Sequence, residues 1–303
     1  MEQRILVTGA TGQLGPYVVA AIRQAGFRCA AWSGRRRVRF DEETEATPVP
    51  LEDARLVEQA WRSARPSAVV HLAALSRIDA CYRDPARARS INVGGTDHLV
   101  RLARAQGIRF LYISTDLVFD GEKGNYTEED HPHPVSVYGA TKLQAEQVAL
   151  AYPNAAVFRI ALLYGPGRGG TRTFLDRVLE SWRNGKAVKF FQDEWRSPLA
   201  LPDAAAAIVH WLRSPRAGLF HVGGPERISR YEMGCRIARA VGIPVELCEP
   251  ASRLDWESPE PRPRDVSLDS TRWRTACPLW QPEPLEQNVA RFWGRIATNS
   301  PPQ

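Results

Sequence analysis

The first fifteen residues constrain this 303-residue chain more than any other stretch. Arg4-Ile5-Leu6-Val7-Thr8 is short, apolar and β-branched, so it reads as a buried strand. It runs directly into Gly9-Ala10-Thr11-Gly12-Gln13-Leu14-Gly15. A helical pattern from Tyr17 to Ala25 follows, with Gly26 as its stop. A strand, a glycine turn and a helix in this order turn backbone N–H groups and a helix N-terminus towards a phosphate. Gly9 permits the tight turn, Gly12 lets backbone approach a pyrophosphate, and Gly15 permits close packing of helix on strand. The spacing is G-x-x-G-x-x-G rather than G-x-G-x-x-G. Thr11, Gln13 and Leu14 belong to the same turn and are expected to line it.

A second strand, Arg28 to Trp32, ends in Ser33-Gly34-Arg35-Arg36-Arg37. A dinucleotide fold that prefers NAD places a carboxylate there for the ribose hydroxyls, whereas arginine accommodates a 2′-phosphate. No acid follows until Asp41. The expected cofactor is therefore NADPH, with Ser33, Arg35 and Arg36 at its phosphorylated ribose.

Strands and helices go on alternating. Residues 41–50 read as an irregular connection around a short third strand, and Glu52 to Arg65 as a helix. Ala68 to Leu72 reads as a buried strand ending in Ala73-Ala74, whose small side chains leave room for a cofactor beside Leu72. His71 in that strand reads as a packed histidine. Pro85 to Gln106 reads as one long helix, although Gly94 and Gly95 inside it each weaken it by about 1 kcal/mol. Those glycines call for close packing or a functional need. Arg109 to Ser114 is the next strand, with Thr115 and Asp116 at its carboxyl end, the edge of an open α/β sheet where ligands sit. With Ala156 to Ile160 added, residues 1–165 are expected to form a doubly wound parallel sheet of Rossmann type, an α/β fold.

After Gly165 the pattern loosens. Helices are expected at Thr173 to Asn184, Asp203 to Arg213 and Ser229 to Val241, with short strands at Lys189 to Phe191 and Leu219 to Val222. Beyond Pro244 prolines and tryptophans accumulate, and a last helix spans about Leu285 to Ile296. Residues 166–297 are expected to form a smaller, substrate-binding lobe partly interleaved with the sheet, and 298–303 a disordered tail.

Composition removes several other functions. Net charge is +6, but the basic residues are spread among acids with one dense run at Arg35 to Arg37, which argues against a nucleic-acid-binding face. No apolar run approaches the ~20 residues that span a membrane, and no signal peptide precedes the first strand, so a cytoplasmic location is expected. Five cysteines without a Cys-x-x-Cys pair read as reduced structural residues rather than a disulfide framework or metal site.

The chemistry points to Tyr138-Gly-Ala-Thr-Lys142. On a helix the two side chains project from one face, a turn apart. An ammonium near a phenol favours the phenolate and so brings the tyrosine towards a pKa useful for proton transfer.

Taken together, the motifs resemble the extended short-chain dehydrogenase/reductases. Gly9-x-x-Gly12-x-x-Gly15, His71-Leu-Ala-Ala74, Asn92-x-x-Gly95-Thr96, Ser114-Thr115, Tyr138-x-x-x-Lys142 and Arg159-x-x-x-Leu163-Tyr164-Gly165-Pro166 occur in family order across nearly the whole chain. Ile113 to Gly121 and Arg262-Pro263-Arg264-Asp265 look most like the dTDP-4-dehydrorhamnose reductase branch. The regulatory β subunit of methionine adenosyltransferase shares that branch. The resemblance implies that Tyr138 donates a proton, that Lys142 lowers its pKa and holds the nicotinamide ribose, and that Thr115 holds the substrate oxygen. It adds Leu51, Asn92 and Ser114 to the cofactor site. Pro50 stands where many relatives have an aspartate near adenine, and Leu117 where the sugar dehydratases have a glutamate.

The implied activity is NADPH-dependent reduction of a nucleotide-linked 4-keto-6-deoxy sugar, in a chain that could assemble as a homodimer. The alternatives are a non-catalytic NADP-binding regulatory subunit and a nucleotide-sugar epimerase. Asp116, Trp195, Arg196 and Arg262 are the substrate-side candidates, guanidinium groups suiting a diphosphate and an indole a base or sugar.

Overall fold

The computed structural model describes residues 3–40 and 44–293. The expected tail at 298–303 and the last residues of the C-terminal helix lie outside the described residues. Fourteen strands are present among the described residues. They are β1 (Arg4–Thr8), β2 (Arg28–Ser33), β3 (Val38–Arg39), β4 (Glu45–Pro48), β5 (Ala68–His71), β6 (Arg109–Thr115), β7 (Ala155–Ile160), β8 (Leu163–Tyr164), β9 (Val188–Phe191), β10 (Trp195–Arg196), β11 (Leu199–Ala200), β12 (Gly218–Val222), β13 (Ile228–Ser229) and β14 (Cys248–Ala251). The α-helices are α1 (Gly15–Gln24), α2 (Ala54–Ala64), α3 (Ile78–Arg83), α4 (Pro85–Arg89), α5 (Gly95–Ala105), α6 (Val137–Leu150), α7 (Phe174–Arg183), α8 (Leu201–Arg213), α9 (Arg230–Ala240), α10 (Thr271–Ala276) and α11 (Leu285–Trp293).

Eight strands form one sheet in the order β12-β7-β6-β5-β1-β2-β4-β3, parallel except where β3 meets β4. The order reverses between β1 and β5, which pair in parallel with Val7 opposite Val70. A doubly wound sheet opens a crevice at the carboxyl ends of the strands at such a reversal. Here those ends are Gly9 and Leu72. The strand residues are buried on both sides, as the unbroken apolar runs require.

One face of the sheet packs on α1 and α8 with Trp273 and Trp280, the other on α2, α5 and α6 with Trp61 and Tyr152. The sheet therefore takes β12, α8 and two tryptophans from beyond residue 165. A separate apolar core joins α7, α9 and α11 around Trp182 and Trp293. Strands β9 and β14 pair in parallel.

Local signals explain the boundaries. Helix α2 starts after Asp53, whose carboxylate accepts from the Arg55 and Leu56 amides at 3.0 and 3.1 Å. The long helix expected from Pro85 to Gln106 is one rod with a π-helical turn, Ser90–Gly94, between α4 and α5. The two glycines in it differ in purpose. A Cβ on Gly95 would meet Leu51 Cβ at 2.9 Å, whereas a Cβ on Gly94 would meet nothing within 4 Å. Only Gly95 answers to close packing.

Candidate active site

At the sheet reversal the chain builds a cavity of about 380 Å³ from backbone. Gly9 has φ +67°, and a Cβ there would lie 2.7 Å from the Ala73 amide nitrogen. A Cβ on Gly15 would lie 2.3 Å from the Ala10 carbonyl, so helix and turn touch through backbone. Helix α1 has no side-chain cap and no acid in its first turn. Its N-terminus leaves the field and donors that an anion needs. The glycine cradle that any Cβ would fill fits a pyrophosphate, so a dinucleotide fits this cavity.

Gly9, Thr11, Gly12, Gln13, Leu14, Gly15, Ser33, Arg35, Leu51, Leu72, Ala73 and Ala74 line this cavity. Arg36 does not line it; its carbonyl accepts from the Ser33 hydroxyl at 2.5 Å. Asn92 is also off the wall. Its Oδ1 accepts from the Leu75 amide at 2.7 Å, and its Nδ2 donates to the Thr141 hydroxyl at 2.9 Å. Asn92 thus ties the turn after β5 to the helix that carries Tyr138. Ser114, expected at the cofactor, is buried and donates to Glu146. His71 is a packed histidine, as read from the sequence. Its nitrogens lie 2.6 Å from the Thr8 hydroxyl and 3.0 Å from that of Thr96, and burial lowers its pKa to about 3.

Tyr138 and Lys142 lie on α6, which Ser136 caps by accepting from the Gly139 amide at 3.1 Å. Gly139 matters for placement. A Cβ on it would lie 2.2 Å from the Leu117 carbonyl, so the first turn of α6 rests directly on the turn after β6. This contact sets Tyr138 near Thr115, whose hydroxyl acts to lower the Tyr138 pKa. Thr115 Oγ1 in turn donates to Asp116 Oδ1 at 3.2 Å.

The electrostatics differ from the expected tuning of Tyr138. Burial and the neighbouring Asp116 charge push its phenol above the ordinary range, and the Thr115 hydrogen bond offsets only part of that. Lys142 does not turn its charge onto it. Its Nζ donates to the Ile113 carbonyl at 2.7 Å and sits 4.1 Å from the centre of the Tyr112 ring. Burial lowers the Lys142 pKa to about 7, and the Glu146 charge opposes that shift. Burial raises Asp116 to about 6, with Arg196 opposing.

A second cavity, of about 690 Å³, opens beside the first, and Ser76 lines both. Asp116 and Leu117, which follow Thr115, and Ser136, two residues before Tyr138, are part of its lining. Arg196, Arg230 and Arg262 also line it, together with Glu194. Arg196 and Arg262 both bind Glu194, Arg262 at 3.1 Å. Burial pushes the Glu194 carboxyl up, but Arg196, Arg262 and Arg230 together outweigh it and hold it below its ordinary value. The wall also carries Arg177 and the acids Asp79, Asp116, Glu257 and Glu260, so a phosphate would be met by the arginines gathered around Glu194 rather than by a net excess of positive charge. Three buried atoms here have no hydrogen-bond partner: Asp116 Oδ2, Glu260 Oε2 and Arg262 Nε. Trp195 does not join them. It pairs with Ser229 across β10 and β13, and the Arg227 guanidinium covers its ring at 5.1 Å.

The RmlD substrate binding domain model matches residues 3–297. The chain belongs to that family. The rat methionine adenosyltransferase 2 subunit beta is 34% identical over 290 residues, covering 90% of this chain and 82% of that one. A Haloferax volcanii protein named "Probable low-salt glycan biosynthesis reductase Agl14" is 30% identical, covering 94% of this chain and 95% of that one. Among solved structures, dTDP-4-dehydrorhamnose reductase from Bacillus anthracis in complex with NADP superposes with TM-score 0.84 at 23% identity, over 97% of this chain and 100% of that one. The Rossmann-type sheet is the fold of these RmlD-family neighbours.

Sequence reasoning missed several charged lining residues of this RmlD-family chain, among them the following four. Glu52 and Arg87 face the first cavity, Glu52 within 3.5 Å of Arg35. Arg230 and Glu260 face the second. Only Arg230 carried a signal: a cation in the first turn of a helix opposes the helix dipole, so a partner or ligand must compensate it.

Proposed function

We propose that this chain reduces the 4-keto group of a nucleotide-linked 6-deoxy sugar, with NADPH as cofactor. The observation that carries this reading is a glycine-built cavity adjoining a second one lined by Arg196, Arg230 and Arg262, whose wall includes Asp116, Leu117 and Ser136, the chain neighbours of Thr115 and Tyr138. Gly9, Gly12 and Gly15 would hold the pyrophosphate, Arg35 the 2′-phosphate, and Lys142 the nicotinamide ribose. The exposed Arg35–Glu52 pair at 3.5 Å is weak enough to yield to a phosphate. The dinucleotide, when bound, supplies the hydride.

The residues of the chain do the rest. Thr115 holds the carbonyl oxygen, and the Tyr138 hydroxyl gives it a proton as negative charge develops. A phenol held above its ordinary pKa stays protonated at neutral pH and is ready to donate. Arg196, Arg230 and Arg262 would take the diphosphate of the substrate. Leu117, where a dehydratase would need an acid, supports reduction rather than dehydration.

A second reading is favoured by the rat relative, named as a subunit of another enzyme. On that reading the chain binds NADP and acts on a partner protein. NADPH oxidation against a panel of 4-keto sugar nucleotides decides between them. Turnover that Tyr138→Phe reduces about 10³-fold, with NADPH affinity unchanged, is the expected result. NADPH binding without turnover of any of the panel would favour the subunit reading.

A further inference from the structure

Burying a polar group without a partner costs about 1–3 kcal/mol, so the orphaned atoms on the second cavity ask for a ligand that satisfies them. Glu260 is the most informative, because its two oxygens have different duties. Oε1 accepts from the Val137 amide at 2.6 Å, across 123 residues of sequence. Val137 opens α6, and the Ser136 cap serves Gly139 instead, so this helix end is completed from the other lobe. An anion there also suits the helix dipole. Oε2 is buried and unpartnered, on a residue that lines the cavity.

Glu260 belongs to a segment fastened at both ends. Asp193 accepts from the Ser252 hydroxyl at 2.6 Å and from the Arg253 amide at 2.8 Å. At the other end the Arg262 guanidinium binds Glu194 and lies 4.7 Å from the centre of the Phe191 ring. Between those points Trp256 to Pro263 wall the cavity, and Glu260 is the link from this wall to the helix of Tyr138. Among the described residues no group of three His, Cys, Asp or Glu side chains is placed to hold a metal ion.

We propose that Glu260 is a positioning and specificity-determining residue: one carboxylate oxygen fixes the start of the catalytic helix, and the other accepts a hydroxyl of the sugar seated in the cavity. This deepens the function proposed above and rests on it. An ionised carboxylate only accepts, so Oε2 selects a donor such as a sugar hydroxyl, while Arg262 Nε selects an acceptor such as a phosphate oxygen. Seating of the sugar is then felt at Val137, one residue from Tyr138.

Calorimetric titration of the full-length, NADP-loaded protein tests this, using dTDP-glucose and dTDP as probes. Glu260→Gln keeps an acceptor for Val137 but loses the second one. It should weaken dTDP-glucose about 10–50-fold while leaving dTDP and NADPH within about twofold. Glu260→Ala also loses the helix tether and should lower kcat with the keto sugar, where Glu260→Gln raises mainly KM. Unchanged dTDP-glucose affinity in Glu260→Gln, or an equal loss for dTDP, overturns the role of Glu260 alone. A wild-type protein that binds neither probe overturns the nucleotide-sugar reading as well.

Discussion

The two cavities that meet at Ser76 are walled by different materials. The smaller is made at the ends of β1, β2 and β5, where backbone meets backbone: Gly9 on Ala73, Gly15 on Ala10. The larger is made of side chains from turns and helices scattered between Ser76 and Pro263, and its charged groups hold one another in place. A backbone wall recognises a shape common to all dinucleotides and tolerates no added atom. A side-chain wall recognises one ligand and is changed by single substitutions. The first should therefore fail abruptly and the second gradually.

Gly9→Ala should give the largest effect. The new Cβ would meet Ala73 and Leu72 backbone at 2.7–2.9 Å in a left-handed conformation, and neither chain can retreat within the sheet. NADPH binding should be lost, with about 3 kcal/mol of stability, measured by fluorescence titration and denaturant unfolding. Gly94→Ala is the matched control. With open space around it and helical backbone, it should gain about 0.5–1 kcal/mol. A Gly9→Ala protein that still binds NADPH would break the comparison.

Arg230→Met should act on the other side only. The guanidinium packs 4.6 Å from the centre of the Phe174 ring, so methionine retains much of the stem packing while removing the charge. Affinity for a sugar nucleotide should fall about 10–100-fold, with NADPH affinity unchanged. Equal losses for both ligands would mean the two cavities are one electrostatic unit.

The same contrast explains what could be read without coordinates. The glycine turn, Ser33, Arg35 and Ala73-Ala74 were legible because a contiguous segment makes each wall, and local geometry selects its residues. Trp195 failed because a sequence places an aromatic near a motif but does not say which way its ring faces; here Arg227 covers it. Asn92 and Ser114 failed differently. They stand in the right motifs, yet their hydrogen-bonding capacity is spent joining elements behind the site. Glu260 had no local signal, since its partner Val137 is brought to it only by the packing of the two lobes. The lowered Tyr138 pKa expected from a nearby ammonium also depended on distances that a four-residue spacing does not set. Helical spacing puts Lys142 on the right face, but the Ile113 carbonyl decides where its charge points.

The last prediction is a pair of pH dependences of opposite sign. His71 and His221 are buried and neutral, each lowered to about 3, chiefly by burial. The unfolded chain binds those protons more readily, so their contribution to stability is present above about pH 6.5 and is lost as pH falls towards 3. Asp116 runs the other way. Burial raises it to about 6, so the folded protein keeps its proton more tightly than the unfolded chain does. Its favourable contribution is present below about pH 4 and is lost as pH rises through 6, at a cost of at most about 3 kcal/mol. Asp116→Asn removes the charge but keeps the shape. It should raise the midpoint of thermal unfolding by about 2–4 °C at pH 8 and leave it unchanged at pH 4. A shift of equal size at both values would show that the asparagine repairs packing rather than relieving a buried charge. No shift at pH 8 would mean that Arg196 already compensates Asp116, so that the side-chain wall is as settled as the backbone one.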